Sequence, residues 1–373
     1  MHGGFTRGLA LLTIASSLIA PAAPPSATDD RGRVRQDQWH LAYLNVGKAQ
    51  QISNGEGVVV AVPDTGVYPH PDLQDNLLPG TDVSGSGDGR ADDNGHGTSM
   101  AGLIAAHGSG NGLGALGVAP KAKVLPIRSR LIDGEGDTDE LAASVEWAVT
   151  HQADVISISA VAGASVRLQR AVRSALAANV VVVASAGNRP EDVVVGYPAS
   201  ETGVIAVGGV DRDGFHAQVS VTGPEVDVVA PAVDIYSTSY GGKYSKGTGT
   251  SGATAIVAGA AALIRSKYPD LPAQEVAHRL TATAIDKGPP GRDDEYGYGV
   301  IDLVAALTAD VPPLGFETPS VTTPTSTAAR GSSEDNSTAR GLATLGVLLA
   351  AGGGYLVWRR RRRAEDPPPR ISR

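Results

Sequence analysis

The sequence predicts an α/β domain: a doubly wound, mostly parallel sheet with helices on both faces. Three observations carry that expectation. Short, continuous apolar runs rich in β-branched residues recur between residues 57 and 307, as suits strands buried on both faces. Segments with helical periodicity alternate with them, which is the order of a layered α/β fold. Glycine supplies 47 of 373 residues against 3 Phe and 2 Met, about twice the usual share of roughly 7%, so tight turns and close backbone approaches are expected.

The strands are expected at 57–62 (GVVVAV), 123–127 (KVLPI), 154–159 (DVISIS), 179–185 (NVVVVAS) and 204–207 (VIAV). Between them, 139–151 places Leu141, Val145, Ala148 and Val149 on one stripe, and 166–178 does the same with Leu168, Val172 and Leu176. In such sheets ligands bind beyond the carboxyl ends of the strands, so the chemistry is sought there.

Both ends of the chain have a different character. Residues 1–22 carry Arg7, an apolar run over 9–20 and the small-residue site Ala20-Pro21-Ala22, the layout of a secretory signal peptide. Residues 23–56 form an N-terminal extension to the domain at 57–308. Residues 309–340 are rich in Pro, Thr and Ser and read as an extended stalk. Residues 341–358 carry no charge and are followed by five consecutive arginines. Eighteen helical residues rise about 27 Å, close to a hydrocarbon core of roughly 30 Å. Tyr355 and Trp358 suit a membrane interface, and the arginines set the positive-inside end. A single-pass protein is therefore expected, with the domain outside the cell membrane and a basic tail at 359–373 in the cytoplasm.

Charge and composition exclude several functions. The formal charge is −8, and because residues 359–373 hold seven Arg against one Glu and one Asp, the rest of the chain carries −13. That body is no nucleic-acid binder. No cysteine is present, which removes disulfides, thiol catalysis and Cys-based zinc sites. The acidic, glycine-rich stretch 82–93 reads as a solvated loop, and neither a metal nor another cofactor is expected.

Three residues at strand or helix ends stand out. Asp64 closes the first strand in Val62-Pro63-Asp64-Thr65-Gly66. His96 opens a small-residue helical segment in Asn94-Gly95-His96-Gly97-Thr98-Ser99. Ser251 lies in Gly249-Thr250-Ser251-Gly252, ahead of the apolar stretch 255–264. Singly they read as a turn, a helix start and a helix cap. Together, in the order Asp, His, Ser, they are the parts of a nucleophilic hydrolase. A serine hydroxyl needs a base to take its proton, and histidine is the side chain whose pKa permits this near neutrality. A carboxylate then holds the imidazole in one tautomer. Asn188, in Ala186-Gly187-Asn188 after the strand ending at 185, supplies an amide for a developing oxyanion, joined by the backbone N–H of Ser251.

These segments resemble the subtilisin-like serine proteases: VAVPDTG around Asp64, NGHGTSMAG around His96, ASAGN at Asn188 and GTGTSGATAIVAG around Ser251. His70-Pro71-Asp72-Leu73, Gly117-Val118-Ala119-Pro120 and the stretch 296–302 are similar to the family as well. The resemblance implies Asp64 as orienting acid, His96 as general base, Asn188 as oxyanion donor, Ser251 as nucleophile, and polypeptide substrates. The chain departs from the family at Pro63, Gly252 and Ala255. It departs also at Ser159-Ala160-Val161, where the family has a Ser-Leu-Gly edge that pairs with substrate; Val161 narrows the groove and implies restricted substrates. The whole layout, including Asp37-Gln38-Trp39-His40-Leu41, resembles the mycosins, membrane-anchored proteases of type VII secretion systems. That resemblance implies cleavage of a narrow set of exported proteins and contact with secretion-complex subunits. The alternative is a structural subunit of such a complex with proteolysis secondary. A released scavenging protease fits the anchor and the altered groove edge less well.

Overall fold

The computed structural model describes residues 27–129, 131–132 and 135–315. The expected signal peptide, the membrane helix, the basic tail and nearly all of the stalk lie outside the described residues.

Helices α1 (Ala27–Asp37), α2 (Trp39–Tyr43) and α3 (Val46–Gln50) precede the first strand, β1 (Val59–Asp64). Then follow β2 (Thr81–Asp82), α4 (His96–Ala105), β3 (Lys123–Arg128), β4 (Leu131–Ile132), β5 (Glu135–Gly136), α5 (Thr138–Thr150), β6 (Val155–Ile158), α6 (Val166–Ala177) and β7 (Val181–Ser185). The remainder is β8 (Ile205–Val210), β9 (Val228–Pro231), β10 (Ile235–Thr238), β11 (Tyr244–Gly247), α7 (Thr250–Lys267), α8 (Ala273–Ala282) and α9 (Leu303–Thr308).

Seven strands form one parallel sheet in the order β2-β3-β1-β6-β7-β8-β9. Every residue of β6, β7, β8 and β9 is buried, which is why these strands read as unbroken apolar runs rather than alternating ones. The five expected strands and the two expected helices are present, with no end shifted by more than three residues. The edge strand β9 escaped the sequence reading because its four residues, VVAP, end on Pro231. A proline lacks the N–H of an inner ladder, and an edge position tolerates that. Two antiparallel hairpins, β4–β5 and β10–β11, stand apart from the sheet.

The chain order reverses between β1 and β6, which creates a crevice at their carboxyl ends. β1 pairs with β3 along its whole length but with β6 only at Val60 and Ala61. By Pro63 and Asp64 the β6 side of the strand has already opened. Helix α7 runs against β6, β7, β8 and β9 and packs on α4. Its residues 252–265 are all buried, and alanine and glycine dominate because a helix enclosed on every side has room for little else.

The N-terminal extension packs on the domain rather than standing apart from it. Gln38, 2% exposed, donates from Nε2 to the carbonyls of Leu116 (3.0 Å) and Tyr236 (3.2 Å) and accepts from Leu116 N–H at 2.8 Å. Trp39 Nε1 donates to Val233 O, and Gln50 Nε2 to Gly117 O. Side chains thus satisfy carbonyls of loops and of the outer edge of β10, and they do so without a disulfide. Among the described residues no helix is long and apolar enough to cross a membrane.

Candidate active site

Asp64 is the last residue of β1 and is fully buried. The N–H of Thr65 donates to its Oδ1 at 2.7 Å. His96 is the first residue of α4, and its Nδ1 lies 2.8 Å and 3.0 Å from the two carboxylate oxygens of Asp64. With Nδ1–H donating to the carboxylate, the neutral ring keeps its lone pair at Nε2. The side chain remains 31% exposed, so that nitrogen is within reach of a substrate. Burial pulls the imidazole pKa down, but the adjoining Asp64 carboxylate, its hydrogen bond and the charge of Asp92 outweigh this and hold it above the ordinary value of 6.5.

The turn after β1 and the start of α4 are locked together. Gly97 N–H donates to Thr65 Oγ1 at 3.0 Å, and a Cβ on Gly97 would sit 2.1 Å from Gly66 O and 3.0 Å from Asp64 Cβ. Only glycine lets the helix come close enough for the imidazole to meet the acid. Asp92 makes the second tie. Its carboxylate accepts from Thr65 Oγ1 and from the N–H groups of Asn94, Gly95 and Thr98, all at 2.8–3.0 Å, and from Thr98 Oγ1. It thereby caps α4, and the negative charge at a helix N-terminus is favourable in its own right. The expectation of a solvated loop at 82–93 is therefore wrong at this residue, which is 7% exposed. Among the described residues no group of three or more His, Asp or Glu is arranged to hold a metal ion.

Ser251 is the second residue of α7, capped by Gly249. Its backbone N–H is one of the orphan donors of a helix start. Ser251 Oγ donates to Ser159 O at 3.1 Å, and Ser159 Oγ donates to Ser251 O, also at 3.1 Å. The structure thus joins Asp64 to His96 directly, but it does not hydrogen-bond Ser251 to His96. The two residues open helices that pack on one another, and the hydroxyl must leave Ser159 to reach the ring.

Asn188 stands three residues beyond β7. Its Oδ1 accepts from Thr250 N–H at 2.9 Å and from Thr250 Oγ1 at 3.2 Å. Its backbone N–H donates to Asp192 Oδ2 at 2.7 Å. With the carboxamide oxygen so committed, the Nδ2 hydrogens remain as donors, immediately beside the start of α7. Asp92, Thr65, Asp192 and Thr250 were missed in the sequence. Asp92 alone left a signal there, as an acid three residues before the Gly95-His96 helix start.

A carboxylate-held imidazole, a hydroxyl at a helix start and an amide donor beside it are the equipment of acyl transfer, and this fold and site define a serine hydrolase. The subtilase family model of peptidases matches residues 55–299. Subtilisin DY of Bacillus licheniformis is 40% identical over 274 residues, covering 72% of this chain and 97% of its own length. The thermostable alkaline protease of Halalkalibacterium halodurans is 38% identical over 266 residues, covering 70% and 71%. Among solved structures, MycP1 with its N-terminal propeptide removed superposes with a TM-score of 0.67 at 32% identity, covering 74% of this chain and 98% of that one. MycP3 protease from the type VII (ESX-3) secretion system gives 0.65 at 35% identity, covering 73% and 88%. The chain belongs to the subtilase family and is a subtilisin-like serine endopeptidase.

Proposed function

We propose that the chain is a membrane-tethered endopeptidase that cuts a narrow set of exported proteins outside the cell, in association with a type VII secretion complex. In this reading Ser251 is the nucleophile, His96 the general base, Asp64 the orienting acid and Asn188 the oxyanion donor. The observation that carries it is the 2.8 Å pairing of buried Asp64 with half-open His96 at the crevice where the sheet reverses, beside the start of α7.

In the proposed chemistry these groups act in turn. Ser251 Oγ turns from Ser159 O toward His96 Nε2, which takes its proton as the oxygen attacks the scissile carbonyl. Asp64 stabilises the imidazolium so formed. The carbonyl oxygen becomes an anion and receives hydrogen bonds from Asn188 Nδ2 and the Ser251 N–H, donors set in place before the reaction. His96 returns the proton to the leaving amine. A water then repeats the sequence on the ester, with His96 again as base, and releases Ser251.

The tether is argued from sequence: the uncharged stretch 341–358, the five arginines after it and the Pro/Thr/Ser-rich stalk before it. The link to secretion is argued from the likeness to MycP1 and MycP3 together with that layout. Truncation after Arg340 tests both. The truncated chain should still react with a small active-site probe yet fail to process its exported substrate in cells, since local concentration at the exit site is lost. Ser251→Ala in the anchored chain should block processing while leaving any scaffolding role in export intact. A released chain that processes and supports export as well as the anchored one refutes the tethered reading.

A further inference from the structure

An amide donor stabilises an oxyanion fully only if its nitrogen is already in place when the charge develops. Two separate holds act on Asn188, the proposed donor. At the side chain, Thr250 keeps Oδ1 from the start of α7. At the main chain, Asp192 holds both polar groups of the residue. Its Oδ2 accepts from the Asn188 N–H at 2.7 Å, and its own N–H donates to Asn188 O at 2.8 Å. The turn 188–192 is thereby closed on itself, and one aspartate ties down the backbone that carries the carboxamide. A hydrogen bond to an ionised acceptor is roughly twice as strong as one between neutral groups, so the carboxylate is the firmer half of this clamp.

The residues around the turn permit that closure. Gly187 has a φ of 116°, a backbone conformation that residues with a Cβ rarely adopt. A Cβ there would lie 2.9 Å from Asp192 Oδ2 and 3.0 Å from its Cβ and Cγ, so glycine leaves the space in which the carboxylate lies. The flanking backbone is also held: Gly187 O accepts from Val221 N–H and from Thr250 Oγ1, both at 3.2 Å, and Arg189 N–H donates to Val219 O at 2.7 Å. Apolar packing contributes little beyond Asp192, because Val193 and Val194 are 77% and 68% exposed. Hydrogen bonding rather than burial therefore fixes this turn.

We propose that Asp192 is a positioning residue for the reaction: by clamping the N–H and C=O of Asn188 it fixes the place at which Nδ2 meets the oxyanion. It acts through Asn188 and not on the substrate. The proposal rests on the reading of Asn188 as the oxyanion donor and deepens it by one residue. A negative charge beside a developing anion is unfavourable in itself, so what the reaction uses is the place of the acceptor, not its charge.

The test uses the full-length protein and a peptide substrate, with urea unfolding to confirm that each variant is folded. A catalytic group displaced by about 1 Å can cost about 10²-fold, so Asp192→Ala should lower kcat by about tenfold to a hundredfold. KM should hardly change, because the group placed is felt only in the transition state. Asp192→Glu, which keeps the charge but moves the acceptor by one methylene, should show a loss of the same kind and serves if the alanine variant does not fold. Asp192→Asn keeps an acceptor at the same reach without the charge and should bring kcat to within about twofold of wild type, or above it. In an Asn188→Ala background, Asp192→Ala should lower kcat by less than about twofold, since no carboxamide is left to place. A folded alanine or glutamate variant with the wild-type kcat overturns the proposal. So does an Asp192→Asn variant as slow as the alanine one, or a full loss repeated in the Asn188→Ala background. An Asn188→Ala change that leaves kcat untouched overturns the oxyanion reading itself, and this proposal falls with it.

Discussion

Replacing Asn188 with Ala or with Asp separates two tasks performed by one carboxamide. Its oxygen holds the N–H and hydroxyl of Thr250 at 2.9 Å and 3.2 Å, while its nitrogen is the proposed donor to the oxyanion. Alanine removes both. Loss of one oxyanion donor costs about 2.7–4 kcal/mol of transition-state stabilisation, a fall of about 10²–10³ in kcat. Loss of the acceptor leaves the N–H of fully buried Thr250 without a partner, about 1–3 kcal/mol of native stability. Aspartate keeps the acceptor and loses the donor. It should therefore fold with most of the wild-type stability and lose at least as much kcat, since its charge also opposes the developing anion. In both variants KM should hardly change, because the donor acts on charge that exists only in the transition state. Steady-state kinetics on a peptide substrate, paired with urea unfolding, reads the two effects separately. A defect confined to KM, or an Asn188→Asp variant that turns over at the wild-type rate, would refute the oxyanion role.

Three further outcomes follow from the titratable groups. His96 must be neutral to accept the serine proton, and its pKa lies above 6.5 because Asp64 and Asp92 outweigh the effect of burial. Hence kcat/KM should rise with pH through an apparent pKa above 6.5, and a profile flat from pH 5 to 8 contradicts a histidine base. Asp92→Ala removes one of those charges and strips five buried or half-buried donors of their acceptor, so the acid limb should move to lower pH while the unfolding midpoint drops; an unmoved limb would show that the charge of Asp92 is not felt at His96. His40 is fully buried with neither ring nitrogen partnered among the described residues, and burial lowers its pKa to about 3. Below pH 6.5 the unfolded chain binds a proton there that the folded chain does not, so this stability is complete above about 6.5 and is lost toward pH 3 at about 1.4 kcal/mol per pH unit. His40→Leu should remove one proton's worth of that slope in unfolding titrations, and an unchanged slope would place the acid sensitivity elsewhere.

Strand positions were legible because β6, β7 and β8 are buried on both faces and leave a continuous apolar signature. Asp64, His96 and Ser251 stand out in the sequence as a proposed triad because each sits at an element end among glycines, in a chain order that hydrolases use, and the structure pairs the first two. What was not legible depends on residues far apart in sequence. Gln38 binds Leu116 and Tyr236, 78 and 198 positions away, so nothing local marked the N-terminal extension as part of the core. Val161 was visible as a bulky residue at the groove edge, but its packing against Gly196, thirty-five positions on, required the fold. Asp92 was misread because an acidic, glycine-rich loop looks solvated until the helix start that it caps is placed over it. The hydrogen bond of Ser251 to Ser159 O, rather than to His96, follows from side-chain rotation, on which sequence is silent.

In the proposed mechanism one hydroxyl of this chain, that of Ser251, is activated by one imidazole, that of His96. Reaction of the full-length protein with a fluorophosphonate, followed by mass-spectrometric mapping of the adduct, tests it most directly. A single adduct is expected on Ser251, absent in Ser251→Ala and formed about 10²–10⁴-fold more slowly in His96→Ala, the contribution of a positioned base. An adduct on any other residue, or equal labelling of the Ser251→Ala protein, would contradict it.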